Sequence, residues 1–203
     1  MRPCFHDVPQ RQDPDGSLAH GGYCLSADGA RNGPFQQDSD LGTVAHGSYL
    51  NDRLEGQFAT CEGDAIVALS SYRNGLLDGV SAAFSKEGRL AMESTYAAGK
   101  LNGSYRTWWP NGELAIEGTY KADAVDGTWK GWHANGKQRF VGKHDAVACA
   151  QLPSSNDSTT MNFGSCRVGV WRWWRTDGTL MREVDYGLGT QSPHPEESVD
   201  NPY

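Results

Sequence analysis

Three stretches between Gly79 and His144 superimpose on one skeleton, and that repetition limits the folds open to this chain more than any other feature. They read GVSAAFSKEGRLAMESTYAAGKLN, GSYRTWWPNGELAIEGTYKADAVD and GTWKGWHANGKQRFVGKH. Glycine opens each unit at Gly79, Gly103 and Gly127, a period of 24. A second glycine follows nine later, at Gly88, Gly112 and Gly136. A ring stands five after the opening glycine (Phe84, Trp108, Trp132) and another ring, or an imidazole, seventeen after it (Tyr96, Tyr120, His144). A fixed period of this size marks an array of small units stacked on one another.

Each unit reads as a β-hairpin. In the middle one, Ser104–Trp109 is short and aromatic-rich. Pro110-Asn111-Gly112 is a turn, because proline presets φ and Asn-Gly tolerates the positive φ that hairpin turns need. Glu113–Tyr120 alternates, with Leu114, Ile116 and Tyr120 expected on one side and Glu113, Glu117 and Thr119 on the other. Residues 121–126 are expected to loop back to Gly127. So short a unit cannot bury its apolar face alone, so hairpin must pack on hairpin. Glycine beside a ring would let the ring lie on bare backbone. A Cβ at Gly103 or Gly127 is therefore expected to clash or to meet a forbidden φ.

The pattern extends in both directions. Opening glycines recur at Gly33, Gly56, Gly79, Gly103 and Gly127, with Phe35 and Phe58 two residues after theirs, where Tyr105 and Trp129 stand later. Residues 61–65 (CEGDA) read as an irregular turn in a degenerate unit. After His144 the period breaks, and Gly169 follows Gly127 by 42 rather than 24. The excess falls in an insertion at 145–164, after which Gly169, Trp171, Trp174, Gly178 and Tyr186 resume the skeleton. The expected organisation is a loose lead-in at 1–15, an array of about six units over 16–189, and an acidic, Pro-rich, disordered tail at 190–203.

Composition limits the function. The net charge is −7, which argues against neutralising nucleic-acid phosphates or adsorbing to anionic lipid. No apolar run approaches the roughly 18 residues that read as a membrane-spanning helix. The start, MRPCFHDVPQ, lacks the apolar core of a signal peptide. Few aliphatics, 25 glycines and 21 aromatic rings suit a thin array held by rings.

The skeleton G-x-W/Y-x-x-W, turn, strand and Y-x-x-G-x-x-x-G resembles the bacterial variant of the MORN repeat, best over 72–144, as in Tyr72-Arg-Asn-Gly75-Leu-Leu-Asp-Gly79 and Tyr96-Ala-Ala-Gly99-Lys-Leu-Asn-Gly103. The resemblance implies an all-β fold: an elongated, twisted, single-layer antiparallel sheet of stacked hairpins. Similar arrays occur in antitoxins, in surface lipoproteins and as scaffolding arms beside catalytic domains. The degenerate early units and the insertion depart from the pattern.

Chemistry-bearing candidates are few. Cys149 and Cys166 bracket the insertion, where a disulfide is useful: closing such a loop contributes about 3 kcal/mol. Cys24 and Cys61 form a second candidate pair. Cys4 is left as a lipid-bearing or free cysteine. This cysteine usage points to a periplasmic, outer-surface or secreted protein, with a cytosolic repeat protein the competing reading. The six histidines show no ligand spacing, no C-x-x-C occurs, and no serine elbow or phosphate loop is present, so neither metal, cofactor nor catalysis is expected. Trp171-Arg172-Trp173-Trp174-Arg175 is the densest ring cluster. Trp109, His133 and Trp173 are read as one row at the foot of the turns which, with Arg172 and Arg175, would contact a partner. The competing reading is structural stacking. Three functions follow: a non-catalytic module that binds a protein, an antitoxin-like inhibitor whose acidity suits a basic enzyme, and a glycan binder using the tryptophan row.

Overall fold

The computed structural model describes residues 22–26, 29–38, 42–147 and 166–188. Among them there is no helix. Two compact units divide between Lys100 and Leu101. The first holds β1 (Gly22–Leu25), β2 (Arg31–Asp38), β3 (Thr43–Leu50), the two-residue β4 (Arg53–Leu54), β5 (Gly56–Glu62), β6 (Ala65–Arg73), β7 (Leu76–Phe84) and β8 (Leu90–Ala97). The second holds β9 (Lys100–Trp108), β10 (Leu114–Lys121), β11 (Ala124–Trp132), β12 (Gln138–Asp145), β13 (Cys166–Trp174) and β14 (Leu180–Asp185). Within each unit every pairing is antiparallel and follows chain order, apart from β3, which pairs with both β4 and β5. The all-β hairpin array expected from the repeats is what the chain forms. The lead-in, the proposed start of the array at residue 16, most of the insertion and the tail lie outside the described residues.

Two kinds of turn alternate. The Asn-Gly turns are as read: Gly112 has φ +90°, its N–H donates to the Trp109 carbonyl, and the Asn111 carboxamide oxygen accepts from the Glu113 N–H. The returns are tighter than expected. Residues 121–126 are not a loop, because β10 runs to Lys121 and β11 starts at Ala124. Only Ala122 and Asp123 turn the chain, both at positive φ (49° and 71°), the geometry of a two-residue type I′ hairpin. Residues 61–65 also turn tightly, with Glu62 paired to Ala65.

Most opening glycines therefore do not start strands. Gly33, Gly79, Gly103, Gly127 and Gly169 lie inside strands and Gly56 begins β5, all at φ between +60° and +128°. Next to Gly127 the register slips: Glu117 faces Lys130, whereas Thr119 faces Asp126. The same slip flanks Gly79 and Gly169. These are β-bulges with glycine in the left-handed region, which a Cβ disfavours. A second bulge follows each Asn-Gly turn. It places Leu114 opposite Trp108 but Ile116 opposite Thr107, so Leu114 and Ile116 do not share a face.

The insertion leaves the ladder intact. His144 pairs with Arg167 and Asp145 with Cys166, the pairing that Lys121 and Ala124 make elsewhere. Residues 146–165 thus occupy the place of a two-residue turn.

Candidate functional site

One face of the second unit is a ladder of rings. Tyr105 and Trp129 stack at 5.7 Å, Phe140 and Trp171 at 6.1 Å, and Trp171 and Trp173 at 5.7 Å. Tyr120 and His144 stand edge-on to Trp129, at 5.4 and 6.2 Å. His144 also meets Trp171 at 5.0 Å, and Tyr186 closes the row. Such pairs add about 0.5–1.5 kcal/mol each beyond buried area. Each buried indole N–H has an acceptor: Trp129 donates to the Thr119 and Asp126 carbonyls, and Trp171 to that of Lys143.

The rings do lie on bare backbone, but not on the opening glycines. A methyl at Gly118 would stand 2.2 Å from Trp129, at Gly142 1.9 Å from Trp171, at Gly131 2.2 Å from Phe140, and at Gly47 2.7 Å from Phe35. Gly103 and Gly127 are required for their φ, +128° and +72°, not as seats.

Trp109, His133 and Trp173 do not form one row. The Trp109 indole N–H donates to the Trp132 carbonyl, and His133 Nε2 lies 2.8 Å from the Trp174 carbonyl. Each stitches its turn to the next turn of the same kind, alongside Asn111 on Ala134 and Asn135 on Thr176. Trp173 instead belongs to the ring face, between the guanidinium groups of Arg167 and Arg182, both near 6 Å from its ring. Counted from Gly169, Trp173 is four residues along, whereas Trp109 and His133 are six from theirs, and that sixth place holds Arg175. Arg175 sits in the last turn, where its N–H donates to the Thr179 carbonyl. Arg172 is on the opposite face, bonded to Glu183 at 2.6 Å.

That opposite face carries a row the sequence reading missed. Arg106 faces Glu117, Glu117 faces Lys130, Lys130 faces Val141, Val141 faces Arg172, and Arg172 faces Glu183. One line of side chains thus crosses all six strands of the unit, and five of its six members are charged. Glu117 sits between two cations, 3.7 Å from Arg106 and 3.8 Å from Lys130. Trp108, Trp132 and Trp174 stand two residues further along β9, β11 and β13, on the same face by alternation. The signal was the residue three after each opening glycine, legible only once the bulges fix the register.

Perturbed titrations lie at turns and strand ends. The Arg31 backbone N–H, then its guanidinium, hold the Asp52 carboxyl below its usual value. The Thr179 N–H and hydroxyl lower Asp177, a bond to Ser85 lowers Glu87, and Glu62 raises Lys86. Local hydrogen bonds, to backbone for Asp52 and Asp177 and between side chains for Glu87 and Lys86, account for them. No cluster of metal-ligating side chains occurs among the described residues. Cys61 and Cys166 are buried, at 1% and 2% exposure. The pairings Cys24–Cys61 and Cys149–Cys166 involve side chains outside the described residues, as does Cys4.

No curated protein matches the chain. The family model described as the MORN repeat variant matches residues 101–122, from β9 through β10 to the first residue of the tight turn. Hairpin 101–122 is thus similar to one repeat of that variant, and repeats of this kind are generally modules that bind proteins or membranes.

Proposed function

We propose that the chain is a non-catalytic scaffold that binds a protein partner through the charged face of its second unit. The observation that carries this is the row Arg106, Glu117, Lys130, Val141, Arg172 and Glu183, in register across six strands and bordered by Trp108, Trp132 and Trp174. Charge alternation of this kind selects partners and fixes register more than it adds affinity. Interface centres also favour tryptophan and arginine. The ring face, by contrast, is engaged in holding hairpins together.

The reading extends to an oxidising compartment, such as a bacterial envelope. It is supported by the burial of Cys61 and Cys166 and proposes the pairs Cys149–Cys166 and Cys24–Cys61. A glycan reading built on Trp109, His133 and Trp173 loses its footing, because these side chains are divided between turn edge and ring face.

The test is affinity capture from the native cell with the full chain as bait, in parallel with bait carrying Arg106→Glu, Lys130→Glu and Arg172→Glu. A partner held stoichiometrically by the natural chain and lost from the reversed-charge bait, with both baits melting alike, supports the reading. Equal capture by both baits overturns it.

A further inference from the structure

We infer that the first unit contains a receptor place for an aromatic side chain, tyrosine or tryptophan, supplied by a protein partner. The repeats themselves define it. Two residues after each opening glycine stands a ring: Phe35, Phe58, Tyr105, Trp129 and Trp171. The exception is Ser81, two after Gly79. The glycine seat is altered with it. Ser70 holds in β6 the position that Gly118 holds in β10, and it faces Ser81 directly, with the two hydroxyl oxygens 2.8 Å apart. Next to them Ala68 faces Ala83, where Phe140 faces Trp173 in the last hairpins.

Four small side chains therefore stand where other hairpins carry rings, and they floor the gap left in the ladder. All four are part-exposed, so the place is open to solvent; of the rings at equivalent places, Phe35, Trp129 and Trp171 are buried and Phe58 and Tyr105 are part-buried. Tyr72 already stands edge-on to Phe58 at 5.7 Å, and it holds towards the gap the position Tyr120 holds towards Trp129. A ring entering the gap would meet an edge-on tyrosine over a floor of small side chains, as Trp129 meets Tyr120 over Gly118.

The floor also selects a polar-edged ring. Ser94 faces Ser81 across β8, is 1% exposed, and its hydroxyl has no hydrogen-bond partner among the described residues. The part-exposed hydroxyls of Ser70 and Ser81 would accept from or donate to a phenol hydroxyl or an indole N–H, which phenylalanine does not offer, with Ser94 buried behind them.

This place depends on the protein-binding reading only for the source of the ring, so a small-molecule titration tests it separately. The full chain, labelled at alanine methyls and backbone amides, is titrated with p-cresol and 3-methylindole, with toluene as the apolar control. The expected result is saturable NMR shifts centred on Ala68, Ala83, Ser70 and Ser81 and reaching Tyr72 and Ser94, at least tenfold tighter for the two polar rings than for toluene. Ser81→Tyr should fill the gap from within, abolish the shifts and leave the melting temperature equal or higher. Reversing Arg106, Lys130 and Arg172 should leave the titration unchanged. Shifts absent from these residues in the natural chain, or undiminished in a folded Ser81→Tyr variant, overturn the inference. Should Ser81→Tyr fail to fold, the natural chain decides alone, with Ser81→Gly expected to keep the site.

Discussion

Gly142 and Gly112 look alike in the sequence, yet they do different things. A methyl at Gly142 would stand 1.9 Å from the Trp171 indole, inside any tolerable contact. At Gly112 nothing lies within 4 Å, but φ is +90°. Gly142→Ala should therefore cost about 3 kcal/mol through overpacking, and Gly112→Ala about 1–2 kcal/mol through backbone strain alone. Denaturant melts of the full chain separate the two. Ser94 runs the other way. Its buried, unpartnered hydroxyl makes Ser94→Ala stabilising by about 1 kcal/mol in the same measurement. The sequence announced that rings and glycines belong together, but it could not say which glycine carries which ring. The 24-residue spacing makes opening and seating glycines equally periodic, and only the register at the bulges tells them apart.

At the scale of the hairpin, the residue before each opening glycine from Gly33 to Gly127 binds the turn ahead. Asn32 accepts from the Asn51 N–H, Glu55 from Asn74, Asp78 from Ala98, Asn102 from Ala122 and Asp126 from Ala146. The acceptor was in plain sight as RNG, LEG, LDG, LNG and VDG. Read as part of a loop over 121–126, an Asp-Gly pair needs no further explanation, so its role shows only when the turn is seen to be tight. In the tight turn, Ala122 adopts φ +49° and Ala98 φ +49°, where the earlier units place Asn51 and Asn74. Ala122→Asn should relieve this strain and stabilise by about 1 kcal/mol, seen as a higher melting temperature. An unchanged or lower value would mean that the turn is not of type I′.

At the scale of the molecule, the fold class was legible because each unit repeats the same local instructions, so propensity, turn chemistry and ring spacing agree. The charged row was not legible. It joins residues from six strands that become neighbours only when the ladder is in register. The apparent break after His144 was misleading for a similar reason: β12 and β13 pair regularly whatever leaves and returns between them. Replacing residues 146–165 with Asn-Gly should therefore preserve the far-ultraviolet spectrum and the tryptophan fluorescence, and loss of either would show that the insertion is needed to close the ladder. The account as a whole depends on rings from one hairpin seating on glycine of the next. The most direct measurement is a double-mutant cycle for Gly118 and Trp129. With Trp129 present, Gly118→Ala should cost about 2–3 kcal/mol; in the Trp129→Ser background that cost should fall below about 0.5 kcal/mol. An equal cost in both backgrounds would contradict it.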